Sequence, residues 1–99
     1  MRNPARVRVN IYDACDVDCE AVNVSMDAKD QVEWHSTGDA FMIEFDSSPF
    51  EQDCFEVPAG GSVSSGPVKT NVPYATYHYT IRSRMDLAKS ADPDVNVKR

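Results

Sequence analysis

The fold is decided by the stretch Val24-Ser-Met26-Asp-Ala-Lys-Asp30-Gln-Val32-Glu-Trp34. Apolar residues alternate with polar ones on both sides of a polar centre, and this period of two is typical of β-strands that bury one face. The centre, Asp27–Asp30, has the composition of a tight turn. The stretch therefore predicts two strands joined by a short connection, with Trp34 on the buried face.

The same alternation runs through most of the chain. Segments rich in Gly, Pro, Ser and Asp separate the alternating runs, as turns do between strands. Short strands at this spacing predict an all-β, Greek-key sandwich of about seven strands, paired antiparallel. The strands are expected at residues 6–11, 22–26, 32–34, 41–45, around 63, 75–81 and 95–97. A single turn of helix is expected at Met85–Lys89.

Four pieces of the chain, in order, resemble the cupredoxins, the blue-copper family. The most specific is Val24–Trp34, which is similar to the family's strand–turn–strand signature except that Lys29 replaces the usual glycine. Residues 41–45 resemble the strand after the first copper ligand. Residues 55–63 resemble the family's proline–glycine turn and the strand that follows it. Tyr77-x-Tyr79 and Val95-x-Val97 resemble the two strands that flank the ligand loop. The resemblance runs from roughly Cys19 to Val97 and implies a cupredoxin-like sandwich.

The resemblance also implies where copper ligands would stand, and the residues there are of other types. A blue-copper site needs two histidine nitrogens, a cysteine thiolate and a weak axial ligand, often methionine. The first histidine aligns near Phe41, the cysteine with Ile81, the second histidine with Ser83 or Arg84, and the methionine near Asp92. We therefore expect no type-1 copper and no other cofactor.

Composition narrows the class of protein. The chain has 99 residues, which fits one domain over 1–99, and its net charge is −6. Thirteen acids and one base, Lys29, lie between Asp13 and Glu56. This segment argues against binding to nucleic acid, because a phosphate-binding surface needs clustered Lys and Arg residues. The acidic segment predicts either a solvated surface or a docking face for a basic protein partner.

The sequence leaves localisation and oligomeric state open. No apolar run approaches the roughly 20 residues of a membrane-spanning helix, so membrane insertion is not expected. The first residues, Met1–Arg6, lack the apolar middle segment of a secretory signal. The expected compartment is therefore the cytoplasm, or the periplasm if a leader has been removed.

The three cysteines are the main remaining source of chemistry. Cys15 and Cys19 frame an acidic run, and with Cys54 and either His35 or His78 they would supply the four ligands of a zinc-type site. A disulfide between Cys15 and Cys19 requires a turn, since an extended strand would separate their Cα atoms by about 13 Å. Both alternatives stay open: a non-standard Cys/His site with a metal-binding or electron-transfer role, and a thiol-redox pair.

Catalysis is not indicated. Both histidines alternate outward from their strands, and the chain has no Gly-x-Ser-x-Gly elbow and no phosphate-binding glycine loop.

Trp34, Tyr77 and Tyr79 are expected in the core. The apolar side chains that remain predict an interaction surface made of Met42, Phe50, Tyr74, Met85 and Leu87. We expect a metal-free, non-enzymatic binding or structural module that acts through the loops 37–41 and 83–92.

Overall fold

The computed structural model describes residues 6–12, 16–18, 20–83 and 90–99, and this part of the chain forms ten strands. The seven predicted strands are confirmed, and three more are present. The expected helical turn at 85–89 lies outside the described residues. Within the described residues there is no helix long and apolar enough to cross a membrane. The strands are β1 (Arg6–Tyr12), β2 (Asp16–Val17), β3 (Ala21–Ser25), β4 (Gln31–Ser36), β5 (Phe41–Phe45), β6 (Cys54–Val57), β7 (Ser62–Ser64), β8 (Thr76–Ser83), β9 (Ser90–Ala91) and β10 (Asp94–Lys98).

The strands form two sheets that pack face to face. One sheet has four strands in the order β2-β1-β4-β7, and the other has six, in the order β3-β10-β8-β5-β6 with β9 paired to β8. The expectation of purely antiparallel sheets is wrong, because β1 pairs with β4 and β3 with β10 in parallel. Neither parallel pair is consecutive in the chain. After β1 the chain visits the opposite sheet at β3, which lets β4 return in the same direction as β1.

The core lies between the sheets and is centred on Trp34. Strands β4, β5 and β8 each bury every second residue, as the alternation predicts. The Trp34 ring lies 5.1 Å from the Phe55 ring and 5.6 Å from the Tyr79 ring, measured between centroids. Burial of Trp34 and Tyr79 is confirmed, while Tyr77 is only partly buried. The other large buried side chains include Ile11, Phe41, Ile43, Phe45, Phe50, Val57, Ile81 and Val95.

The turn between β3 and β4 has the backbone geometry of a glycine at Lys29, where the cupredoxin resemblance leads one to expect glycine. Lys29 has a φ of 57°, a left-handed conformation that glycine adopts without strain. The buried Asp30 closes the turn, since its Oδ2 accepts a hydrogen bond from Ser25 N at 2.9 Å. Asp30 N in turn donates to the Ser25 carbonyl at 3.1 Å. The backbone thus keeps the glycine geometry although the residue is lysine.

Candidate functional site

Three of the positions where the resemblance places copper ligands, Phe41, Ile81 and Ser83, lie near one another on the buried face of β5 and β8. Strands β5 and β8 pair so that Phe41 lies opposite Ser83, and Ile43 opposite Ile81. Strand β9 pairs with β8 so that Ala91 lies opposite Ile81, and the exposed Asp92 follows beside Thr80. Arg84 lies outside the described residues. We define the loop end of the sandwich by residues 36–41, 57–58 and 90–92.

These positions hold core side chains instead of donor atoms. Phe41 is 1% exposed, Ile81 0% and Ser83 4%. Phenyl and alkyl groups have no lone pair to offer a metal, and a serine hydroxyl is not the nitrogen or sulfur donor that a blue-copper site uses. Asp92 is exposed, and its Oδ1 accepts a hydrogen bond from Thr80 Oγ1 at 3.3 Å. This corner therefore supplies packing where a blue-copper protein supplies ligands.

A groove opens beside Phe41 at the loop end. It has a volume of about 540 Å³ and is lined by Ala40, Phe41, Glu56, Val57 and Pro58. Its walls are the start of β5 and the end of β6, which pair Phe41 with Val57. The volume is within the range of natural ligand pockets. The lining is apolar apart from the Glu56 carboxylate.

Hydrogen bonds fix the loop that leads into this groove. The buried Ser36 hydroxyl donates to the Asp39 carbonyl and accepts a hydrogen bond from Gly38 N at 3.1 Å. Thr37 N donates to the Ile11 carbonyl at 3.1 Å, which ties the loop to β1. These hydrogen bonds hold Asp39 and Ala40 in one arrangement at the edge of the groove.

No protein-family model and no curated protein sequence matches this chain. Solved structures do match it. A reduced Cu(I) form of an amicyanin variant at pH 4 has a TM-score of 0.61 and 14% sequence identity, over 99% of this chain and 86% of the other. A second Cu(I) amicyanin variant gives 0.61 and 14%, over 93% and 81%. A purple cupredoxin from Nitrosopumilus maritimus gives 0.61 and 9%, over 93% and 99%.

This chain has a cupredoxin-like fold. The TM-scores of 0.61 establish the architecture, and sequence identities of 14% and 9% carry no function over to this chain.

The described members of the alternative metal site lie on two different faces of the sandwich. His35 points outward from β4 in the four-stranded sheet, whereas His78 and Cys54 lie on the outer face of the six-stranded sheet. Opposite faces of a sandwich cannot share one ion, because ligand atoms must lie about 2 Å from it. Cys15 and Cys19 lie outside the described residues. Across the described part, no three His, Cys, Asp or Glu side chains are grouped so that they could hold a metal.

The predicted interaction surface does not form one patch. Phe50 was expected at the surface and is 1% exposed, so this assignment is wrong. Its backbone N donates to Ser48 Oγ at 3.0 Å in a turn that directs the ring inward, and the ring contacts Trp34 edge-on at 6.5 Å. Aromatic rings gain burial and edge-to-face contacts in such a core. An aromatic residue straight after Pro49 gives no alternation signal that would reveal this.

The remaining members of that surface lie at different places. Met42 is half-buried on β5, where it lies opposite Arg82 near the loop end. Tyr74 is 58% exposed and precedes β8 at its other end. Arg82 lies six residues after Thr76 along β8, which corresponds to about 20 Å. Met85 and Leu87 lie outside the described residues.

Acids of the acidic segment contribute to structure as well as to surface charge. The Asp18 carboxylate accepts hydrogen bonds from the backbone N and the side-chain Nδ2 of Asn10, both at 2.9 Å. Glu44 pairs with Arg82 at 3.4 Å on the exposed sheet face. Such a solvent-exposed pair contributes about 1 kcal/mol or less.

Burial raises the pKa of the Tyr77 hydroxyl above its ordinary value of 10.0.

Proposed function

We propose that this cupredoxin-like domain is a non-enzymatic recognition module that works without type-1 copper and binds a protein partner at its loop end. The observation that carries the proposal is the burial of Phe41 and Ile81 at the corner where the resemblance places copper ligands. An apolar, packed corner cannot bind copper in the way that imidazole and thiolate do. The fold then serves to display the surface around that corner.

The groove beside Phe41 supports a partner of defined chemistry. Ala40 and Pro58 offer apolar contact, and the exposed Glu56 and Asp39 add negative charge. Interfaces combine an apolar centre with a polar rim, and opposite charges speed association. The favoured partner is therefore a protein surface that places an apolar side chain among Lys and Arg residues.

Copper addition tests the metal-free half of the proposal. We expect that one equivalent of Cu(II), or of Cu(I) under reducing conditions, produces no intense thiolate-to-copper absorption in the visible range and no rise in Tm. Elemental analysis of protein purified without chelator is expected to find no stoichiometric metal. Amicyanin is the positive control. A blue or purple stoichiometric complex would overturn this half and favour a non-standard Cys/His site.

Site-specific photo-crosslinking tests the recognition half. A photoreactive residue at Ala40 lies in the groove, and one at the exposed Ser64 on β7 lies on the other sheet as a control. We expect the Ala40 probe, in extract of the source cells, to capture a discrete basic protein, and excess wild-type protein to compete it away. Identical products from both probes, or products that wild-type protein does not displace, contradict recognition at the loop end.

A further inference from the structure

A second groove lies at the opposite end of the six-stranded sheet. It has a volume of about 520 Å³ and is lined by Tyr74, Ala75, Thr76, Asn96, Val97, Lys98 and Arg99. The groove forms where β8 begins and β10 ends, which is far from the loop end along both strands. The loop-end proposal does not use these residues.

The pairing of β8 with β10 brings an aromatic residue and a cation to the same groove. Strand β10 pairs with β8 so that Asn96 lies opposite Thr76. Val97 N donates to the Ala75 carbonyl at 2.9 Å, so the pairing continues beyond the strand. Tyr74 lies in the bend before β8 and Lys98 ends β10, and both residues line the groove.

Tyr74 stays exposed although its neighbours are tied to the sheet. The Tyr77 hydroxyl donates to the Pro73 carbonyl at 2.7 Å, and the Ala75 carbonyl is bound by Val97 N. These two contacts fix the backbone on both sides of a ring that is 58% exposed. A large apolar side chain that is held outward by a fixed backbone loses little entropy when a ligand covers it.

The other wall carries positive charge in a chain whose net charge is −6. Lys98 and Arg99 line the groove, and none of the lining side chains is a carboxylate. Arg99 lies 3.6 Å from Asp27 in a pair that is open to solvent on both sides, and such a pair is easily replaced. Ser25 Oγ donates to the Arg99 carbonyl at 3.0 Å, which holds the backbone of this wall.

The polar groups on the floor are already engaged with one another. Thr76 Oγ1 donates to Asn96 Oδ1 at 2.6 Å, and Asn96 Nδ2 donates to Asn23 Oδ1 at 3.2 Å. The groove therefore offers a ring and two flexible cations, and no set of buried donors converges on a single small anion. A ligand gains most when it spans the ring and both cations.

We propose that this groove binds an extended acidic peptide segment of a partner protein. Carboxylates of the segment lie against Lys98 and Arg99, and an apolar or planar side chain covers the Tyr74 ring. Tyrosine and arginine are residues that dominate binding at such surfaces. A nucleic acid is disfavoured, because two cations on an acidic chain neutralise few phosphates.

The test is a titration of isotope-labelled protein with the peptide Glu-Glu-Tyr-Glu-Glu, followed by NMR at low salt. We expect saturable shifts of the amide signals of residues 74–76 and 96–99 that weaken as salt is added. Tyr74→Ala is expected to weaken binding by about fivefold or more. Lys98→Gln is expected to weaken it by about two- to fivefold.

Matched variants and probes make the test decisive. Tyr12 is the other large exposed aromatic residue of the described chain, and Arg8 is an exposed cation on the four-stranded sheet. Tyr12→Ala and Arg8→Gln are expected to bind the peptide as wild type does. Equal losses in these controls, no shifts at millimolar peptide, or equally tight binding of glutarate, inorganic phosphate or oligouridine would each overturn the acidic-peptide proposal. Circular dichroism melts verify that each variant is folded.

Discussion

The indole Nε1 of Trp34 donates a hydrogen bond to the Tyr79 hydroxyl at 3.1 Å, inside the core. Trp34 belongs to β4 of the four-stranded sheet and Tyr79 to β8 of the six-stranded sheet, so this bond joins the two layers. Both side chains are almost completely buried. Because a buried N–H without a partner is costly, the pair fixes how the two sheets face each other.

We predict that Tyr79→Phe lowers the free energy of unfolding by about 1–3 kcal/mol, since the substitution leaves the Trp34 N–H buried and without this acceptor. Urea denaturation, monitored by Trp34 fluorescence, measures the change. The control is Tyr77→Phe, which removes a hydroxyl whose ring is only partly buried. A loss for Tyr79→Phe that is no larger than the loss for Tyr77→Phe would contradict a structural role for the bond.

Ile81 is a core residue at the position that the resemblance aligns with the copper cysteine. We predict that Ile81→Ala costs about 2–5 kcal/mol and Ile81→Val about 0.5–1.5 kcal/mol, because deletion of buried methyl groups leaves a cavity. Ser90→Ala, an exposed change on the neighbouring β9, is expected to stay within about 0.5 kcal/mol. If Ile81→Ala were as mild as Ser90→Ala, the corner would be loosely packed and the argument against a ligand site there would fail.

Lys29 adopts a backbone conformation that suits glycine. We predict that Lys29→Gly stabilises the domain by about 0.5–1 kcal/mol, because relief of left-handed strain outweighs the extra entropy of an unfolded glycine. The control is Ala28→Gly, one residue earlier in the same turn. Among the described non-glycine residues only Lys29 has a positive φ, so Ala28 has no left-handed strain to relieve. Ala28→Gly is therefore expected to destabilise the domain. Thermal unfolding of both variants decides the matter. A lower Tm for Lys29→Gly would mean that the lysine side chain contributes contacts that offset the strain.

Much of the fold could be predicted because alternation reports which face of a strand is buried, as at Trp34 and Tyr79. It carries no information on strand direction, so the parallel pairing of β1 with β4 was missed. Alternation also gives no information at turns, and Phe50 reaches the core through a turn and tertiary contacts. The Phe41–Ile81 corner could be located from aligned strand patterns. The meeting of Lys98 and Tyr74 at one groove depends on pairing between strands that are distant in the sequence.

The ionisation of Tyr77 gives a prediction in alkaline solution. Burial raises the pKa of its hydroxyl above the ordinary value of 10.0, which the unfolded chain is expected to keep. The folded state thus keeps the hydroxyl proton of Tyr77 at alkaline pH values at which the unfolded state has begun to lose it. The stabilising contribution of the neutral hydroxyl is therefore fully present below pH 10.0 and is lost as the pH rises through the higher folded-state pKa.

We predict that the stability difference between wild type and Tyr77→Phe is constant from about pH 8 to pH 9.5 and changes in favour of Tyr77→Phe above pH 10, because only wild type has this ionisable group. The other tyrosines ionise in both proteins, so their effects cancel in the difference. Urea denaturation at each pH measures it. A difference that stays constant through the alkaline range would show that the hydroxyl ionises alike in both states. Its hydrogen bond to Pro73, which supports the backbone beside Tyr74, would then be open to solvent in the folded protein.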